Sequence, residues 1–457
     1  MYVSVAGGSS TDGYDPRDGA GPETGEPGRA GDPAGEGAAR GRAGVPAALR
    51  ERVSAFRALM ARPLTPYYLI VGITTLLLSL GLVMVLSTGS VFDLSQGESP
   101  YADFGKQLAG VAAGLPLLWI AARSSPRLFR AAAYPLVAVS ILGLLLTQIH
   151  GVGESTNGGG RWIGIGAFQF QPSELAKLAL AVWGADLLAR KEKLGLLADW
   201  RHMLIPLLPG TAILALLVMA GDDLGTTSVL LIIFLTLLWI AGTPSRVFAG
   251  MLILMGLVTV LLIVTAGYRD ARLVNFLNPS NTSPTGPNMQ SIQGKIALGN
   301  GGVFGVGLGA GSGKWGWVPE DTSDFIFAII GEELGLVGTL CVTALYGGLA
   351  YAGLRVARAS ADTFSRLTAA AITAWIVMQA VVNIGAVIDV LPITGVPLPL
   401  VSAGLSSLLV TMIALGMLMS FARRTPGAAE ALAARGPSGA SRVLSLVGLG
   451  SRQEEHG

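Results

Sequence analysis

Charge is scarce in this sequence. Only 13% of its 457 residues are Asp, Glu, Lys or Arg, about half of what a soluble globular protein carries. So little charge does not suit a water-facing surface, whereas 51% hydrophobic residues suit a lipid solvent. Cysteine is nearly absent: Cys341 stands alone inside an apolar run, so neither a disulfide framework nor a thiolate cluster can form within one chain. The histidines His150, His202 and His456 are scattered, and no Walker A sequence occurs. Zinc chemistry and nucleotide hydrolysis are therefore left without a motif. A net charge of +2 argues for neither nucleic acid nor a polybasic membrane patch. No apolar h-region opens the chain, so the first span, rather than a cleaved signal peptide, is expected to direct it to the membrane.

Long apolar runs are what the chain has. A bilayer core about 30 Å thick takes roughly 20 apolar residues per helix, because lipid offers backbone groups no partner. About ten such runs follow one another: Pro66 to Ser87, Lys106 to Ala122, Ala131 to Ile149, Ser173 to Leu188, Met203 to Ala220, Leu224 to Gly242, Val247 to Tyr268, Phe325 to Gly353, Leu367 to Ile388 and Ser406 to Phe421. The expected fold is an all-α membrane protein, a polytopic bundle with a large extracytoplasmic loop, residues 269–324, between spans 7 and 8. The membrane domain is expected over residues 65–422. Residues 1–64 and 423–457, rich in Gly, Ala, Pro and Arg, cannot bury enough apolar surface to offset their ordering entropy and are expected as disordered cytoplasmic tails. Alternate connections carry Arg123, Arg127 and Arg130, then Arg190, Lys191, Lys193 and Arg201, then Arg246, then Arg355, Arg358 and Arg366. These set the cytoplasmic side.

Three outward connections, residues 151–171, 269–324 and 391–404, are too long or too polar to be mere turns. They hold Arg161, Arg269, Arg272, Lys295 and Lys314, against the rule that set the orientation. Either these cations pair with acids and headgroups, or they bind an anionic substrate. Glu174 and Lys177 stand three apart on one helix face; they could lock helices together, or Lys177 could lend its charge to a phosphate. Asp223, between two apolar runs, could cap the next helix, accept hydrogen bonds from a loop or hold a cation. Glu320, Asp321 and Asp324 gather before the following span, where negative charge meets the positive end of a helix dipole. An N-cap is the plain reading of Asp324. It leaves Glu332 and Glu333, deeper in an apolar segment, unexplained. The glycine series from Gly299 to Gly313 has no preceding strand and no crossover helix, so it is not a dinucleotide fingerprint. It suits close backbone packing, or amides turned toward an anion.

Four separated blocks together resemble the SEDS family of peptidoglycan polymerases, its FtsW branch more than RodA. Gly160-Arg161-Trp162-Ile163 with Gln171-Pro172-Ser173-Glu174-Leu175-Ala176-Lys177 is similar to the RWI and QPSELAK segments, and Asp223-Leu224-Gly225-Thr226-Thr227 to DLGTT. The stretch from Gln290 through Lys314-Trp315-Gly316, Pro319-Glu320 and Asp324-Phe325 to Gly331-Glu332-Glu333-Leu334-Gly335 resembles the signature loop and the helix after it. Leu391-Pro392-Ile393-Thr394-Gly395-Val396-Pro397-Leu398-Pro399 with Val401-Ser402 resembles the LPxTGxPLPFVS segment. Departures are Thr322 in place of a histidine, Asp222 in place of a proline, and Ala403 and Leu405 in place of a tyrosine and a glycine.

The resemblance implies an inverting glycosyltransferase that polymerises lipid II on the outer face of the bacterial cytoplasmic membrane during septal wall synthesis. It implies Asp324 as catalytic base, Arg161, Glu174, Lys177, Gln290, Lys295, Lys314 and Ser402 as substrate-binding residues, and Asp223, Glu320, Glu332 and Glu333 in support. Partners so implied are undecaprenyl-pyrophosphate-linked glycan, a class B penicillin-binding protein and the division machinery. No metal ligands are assigned, although a divalent cation could bridge the pyrophosphate and carboxylates. A lipid II flippase and a non-catalytic scaffold activating the transpeptidase are the alternatives.

Overall fold

The computed structural model describes most residues from 60 to 434, together with Glu51, Ser54 and Leu59's neighbour Ala58. Outside the description lie residues 1–50, 52–53, 55–57, 59, 61, 96, 98, 150–152, 157–158, 166–167, 266–288, 316–317, 320–321 and 435–457. Most of both expected tails therefore falls outside it, as do Arg269, Arg272 and Glu320. The chain divides into Met1–Phe56 and Arg57–Gly457, and the fold that follows is that of the second unit.

Its helices are α1 (Thr65–Ser95), α2 (Ala102–Arg123), α3 (Pro126–Leu146), α4 (Pro172–Lys193), α5 (Trp200–Leu204), α6 (Leu207–Ala220), α7 (Leu224–Ile240), α8 (Ser245–Thr265), α9 (Met289–Gly301), α10 (Ile326–Ala359), α11 (Thr363–Val387), α12 (Leu405–Arg423) and α13 (Ala428–Ala434). Among the described residues, seven helical segments are long and apolar enough to cross a membrane: α1, α2, α3, α5 with α6, α10, α11 and α12. The remaining expected runs fall on α4, α7 and α8.

Burial sorts the helices by polarity. Helix α4 carries Glu174, Lys177 and Asp186, and all three are buried, as are Leu178, Leu180, Leu188 and most of its other residues. Charge at membrane depth is costly unless it faces a protein interior, and α4 is surrounded by α3, α7, α11, α6 and α12. Helices α2 and α3 instead expose Leu115, Leu117, Ile120, Leu142 and Leu145, the apolar side chains of a lipid-facing rim. The rim closes on the centre through small residues: a Cβ at Gly416 of α12 would stand 2.5 Å from the carbonyl oxygen of Leu118 on α2. Only glycine allows that approach.

Four features depart from the expected organisation. The connection between α3 and α4 is a three-stranded antiparallel sheet, β1 (Gly153–Thr156), β2 (Gly159–Ile165) and β3 (Phe168–Phe170), with Thr156 opposite Gly159 and Ile163 opposite Phe170. The fold is thus not all-α in its connections. The large connection contains α9, and the C-terminal segment expected as a tail from residue 423 contains α13. Finally, α10 is broken at Gly335, where φ is 69° and ψ is −164°, a region closed to other residues. The broken ladder is repaired by the glycine-rich segment after α9: Leu336 and Val337 donate to the carbonyls of Gly302 and Val303, and Val306 and Gly307 donate to those of Glu332 and Glu333.

Candidate active site

The four motif blocks converge at one end of the bundle, and they do so through hydrogen bonds that can be followed residue by residue. Asp223 is the N-cap of α7, its carboxylate accepting from the Thr226 amide at 2.9 Å. Its other oxygen accepts from Gln171 Nε2 at 3.1 Å and Ser173 Oγ at 3.4 Å, which ties the start of α4 to the start of α7. Capping and loop-tethering are therefore both correct readings of this residue. Arg161 on β2 donates to the carbonyls of Gly221 at 2.9 Å and Asp222 at 2.6 Å, satisfying carbonyls at the C-terminal end of α6. A Cβ at Gly225 would lie 2.4 Å from the Thr394 carbonyl, so the 391–404 segment rests directly on the first turn of α7.

Lys177 is fully buried and engaged. Its ammonium lies 2.7 Å from Glu174 Oε1 and 3.0 Å from Gln379 Oε1, with the Trp375 ring centroid at 5.3 Å. Gln379 in turn donates to the Pro397 carbonyl at 2.9 Å. The pair therefore locks α4 to α11 and to the 391–404 segment, as the helix-locking reading anticipated, and the ammonium is not displayed to a ligand. Lys314 is likewise interior. It contacts Glu333 Oε1 at 3.1 Å, Ser87 Oγ at 3.1 Å and the Gly309 carbonyl at 2.7 Å, and Ser87 donates to the same Glu333 oxygen at 2.7 Å. Glu332 accepts from the amides of Ser312 and Gly313 and from Ser312 Oγ, all between 2.9 and 3.0 Å. The anion toward which these amides turn is thus a carboxylate of the protein itself.

Asp324 does not cap α10. The helix begins at Ile326, and its N-cap is Phe325, whose side chain makes no cap hydrogen bond. Asp324 instead occupies a turn stitched to the 391–404 segment by main-chain atoms. Asn383 Nδ2 donates to the carbonyls of Asp324 at 2.7 Å and Val396 at 2.8 Å. Ser402 Oγ donates to the Ser323 carbonyl at 2.6 Å and accepts from the Leu398 amide at 2.8 Å, while the Ala403 amide donates to the Thr322 carbonyl at 2.9 Å. The half-buried Asp324 carboxylate faces exposed Gly395, where an added Cβ would stand 3.4 Å from Oδ2. Helix α9 flanks this turn: a Cβ at Gly294 would lie 3.0 Å from the Phe325 ring. Gln290 is one turn earlier, on the same helix face. Lys295, 46% exposed, pairs with Asp389 at 2.7 Å beyond the end of α11.

Asn383, Gln379 and Trp375 were absent from the sequence-based candidates. Gln379 and Asn383 are amides four apart in an apolar span, a spacing that places both on one interior face and would have flagged them. Among the described residues, no group of three His, Cys, Asp or Glu side chains is placed to hold a metal ion.

Fold and site together define a polytopic helical membrane protein with a half-buried carboxylate fixed at the junction of its polar connections. The chain belongs to the FtsW/RodA/SpoVE family of cell cycle proteins, whose model matches residues 67–426. It is 43% identical over 403 residues to the probable peptidoglycan glycosyltransferase FtsW of Mycobacterium tuberculosis, covering 88% of this chain and 76% of the relative. With the stage V sporulation protein E of Bacillus subtilis it shares 35% identity over 361 residues, 79% of this chain and 97% of the relative. Among solved structures, a chain of a peptidoglycan synthase complex, described as coordinating polymerization and crosslinking, matches with a TM-score of 0.61 at 26% identity, covering 78% of this chain and 96% of that one. The rod shape determining protein RodA of Thermus thermophilus matches with a TM-score of 0.54 at 28% identity, covering 78% and 96%.

Proposed function

We propose that this chain is a peptidoglycan glycosyltransferase that polymerises lipid II at the outer face of the bacterial cytoplasmic membrane during cell division. The observation that carries the site assignment is the main-chain clamp on Asp324. Asn383, Ser402 and Ala403 fix the turn at residues 322–324, while its carboxylate is left facing exposed Gly395. A base must be held within hydrogen-bond reach of the proton it takes, and Asn383, Ser402 and Ala403 hold this turn through its main-chain carbonyls.

In the proposed reaction the acceptor GlcNAc 4-hydroxyl attacks the anomeric carbon of the donor sugar with inversion. The new glycosidic bond forms as the bond to undecaprenyl pyrophosphate breaks, the pyrophosphate leaves with the electron pair, and Asp324 takes the hydroxyl proton. An ordinary carboxylate, with a pKa near 4, is far too weak a base to ionise a sugar hydroxyl first, so proton transfer accompanies bond formation. Lys295 and Arg161 keep solvent access and are assigned to the developing pyrophosphate charge, and Gln290 is assigned to the substrate with them. Lys177 and Lys314 act as internal counterions that shape the site, and Ser402 as a clamp. The ten apolar runs all cross the membrane, with both termini cytoplasmic and residues 269–324 outside, at the division septum. A class B penicillin-binding protein and the division machinery are the assigned partners.

The test is glycan polymerisation from purified lipid II by the protein alone and with its partner. Wild type is expected to form polymer, and Asp324→Asn, at an unchanged melting temperature, is expected to form none. Polymer from the variant would remove the base assignment; none from well-folded wild type with its partner would leave a scaffold or transporter.

A further inference from the structure

The glycine-rich segment after α9 has a composition unlike that of a solvent-facing loop. From Gly299 to Gly313 it carries no charged residue, and it exposes Val303, Phe304, Val306 and Leu308 by 55%, 82%, 46% and 58%. A contiguous apolar display of this kind on a monomeric surface marks an interaction site. The page also says what covers it. The backbone of this segment is bonded to Leu336 and Val337 of α10, whose own side chains, with Leu340, are exposed on a helix apolar enough to cross the membrane. About 20 residues at about 1.5 Å each fill the hydrocarbon core. Counted back from Leu354, just before the arginines of α10, that length reaches Gly335, the break at which the loop is attached.

We propose that the segment 302–309 is a re-entrant interfacial element that rests in the lipid boundary at this end of the bundle, with Val303, Phe304, Val306 and Leu308 among the acyl chain ends and glycerol groups. Irregular backbone is excluded from lipid unless its polar groups are satisfied by protein, and here much of the segment's backbone is paired with protein. The amides of Gly302, Gly305, Val306, Gly307 and Ala310 donate to protein carbonyls, and the carbonyls of Gly302 and Val303 accept from α10. The nearest charges, Lys314, Glu332 and Glu333, are buried against one another and against Ser87 and Ser312. The break at Gly335 therefore supplies the loop with partners while the loop repairs the helix. The element sinks to the depth of an interfacial helix, roughly 5–10 Å into the headgroup and acyl boundary.

The protein's single cysteine allows a direct test. In a Cys341→Ala background, nitroxide labels are placed at Phe304→Cys, Leu308→Cys, lipid-facing Leu340→Cys and, as the aqueous reference, Ser99→Cys, exposed in the connection between α1 and α2. Collision rates with oxygen and with a water-soluble nickel chelate are read in vesicles of phosphatidylethanolamine and phosphatidylglycerol. Labels at 304 and 308 are expected to lose nickel accessibility to the level of the 340 label. Accessibility at 304 and 308 matching that at 99 would overturn the proposal and leave a partner protein as the cover. A Cβ at Gly305 would stand 2.1 Å from the Glu333 carbonyl, so Gly305→Ala is expected to release the loop and restore nickel access at 304 without altering it at 340. No change at 304 would overturn the role of the helix break in seating the loop.

Discussion

At the residue scale, the ionisable groups divide into those that hold the fold together and those assigned to chemistry. Glu333 and Lys314 belong to the first kind, both at 5% exposure or less. Removing one partner of such a pair leaves an uncompensated buried charge, at a cost of about 3–5 kcal/mol. Glu333→Gln is therefore expected to lower the melting temperature in detergent clearly, and Lys314→Met combined with Glu333→Gln to recover much of the loss. Asn383 serves the second kind indirectly. Asn383→Leu leaves the Asp324 and Val396 carbonyls without their amide donor, at about 1–3 kcal/mol for each acceptor left unsatisfied. It is expected to reduce kcat for polymerisation with KM little changed, and Asn383→Gln to restore part of it; an unaltered kcat would deny Asn383 a positioning role. The Glu174–Lys177 pair and the Asp223 cap were legible because their partners lie within a helical turn. The setting of Asp324 was not, because Asn383 and Ser402 reach it across 59 and 79 residues.

Among the elements, α10 shows what periodicity can and cannot reveal. Its apolar run was plain, but the break at Gly335 reads in sequence as one glycine among many, and only the loop that bonds to it explains its place. Glu332 and Glu333, puzzling as members of a continuous membrane helix, lie just before that break and anchor the loop instead. Where α9 crosses α10, a Cβ at Gly301 would stand 1.9 Å from the Gly331 carbonyl, an overlap no rotamer relieves. Gly301→Ala is expected to destabilise by about 1–3 kcal/mol or more, seen as a lowered melting temperature, whereas Gly299→Ala, with nothing within 4 Å, is expected to be neutral. The sheet was more legible than the reading allowed. Asn157-Gly158 between β1 and β2, followed by the alternation of Arg161-Trp162-Ile163, is a strong short hairpin signal, hidden by the assumption that a polar connection is a loop.

Across the whole molecule, the two ends differ in kind. At the end away from the clamp, Arg130 meets Asp362 at 3.0 Å and Asp186 at 3.9 Å, Arg190 meets Asp186 at 2.7 Å, and Arg366 meets Glu192 at 3.2 Å. These pairs join α3, α4 and α11 through the basic residues that fixed the expected orientation. Lys106 lies near the start of α2 and Arg127 near the start of α3, and a membrane-impermeant maleimide applied to intact cells is expected to label Lys106→Cys and spare Arg127→Cys. Equal labelling would refute the assigned topology.

The clamp at residues 322–324 holds its turn by amides and carbonyls donated or accepted across the gap, with Thr322 and Ala403 taking part only through their main chains. Such a joint is indifferent to which side chain each of those positions carries. That is why a threonine can replace a histidine, and an alanine a tyrosine, while the aspartate two residues on keeps its address. The geometry of the turn is thus carried by the backbone at Thr322 and Ala403, and the side chains at these two positions are open to substitution without loss of the joint.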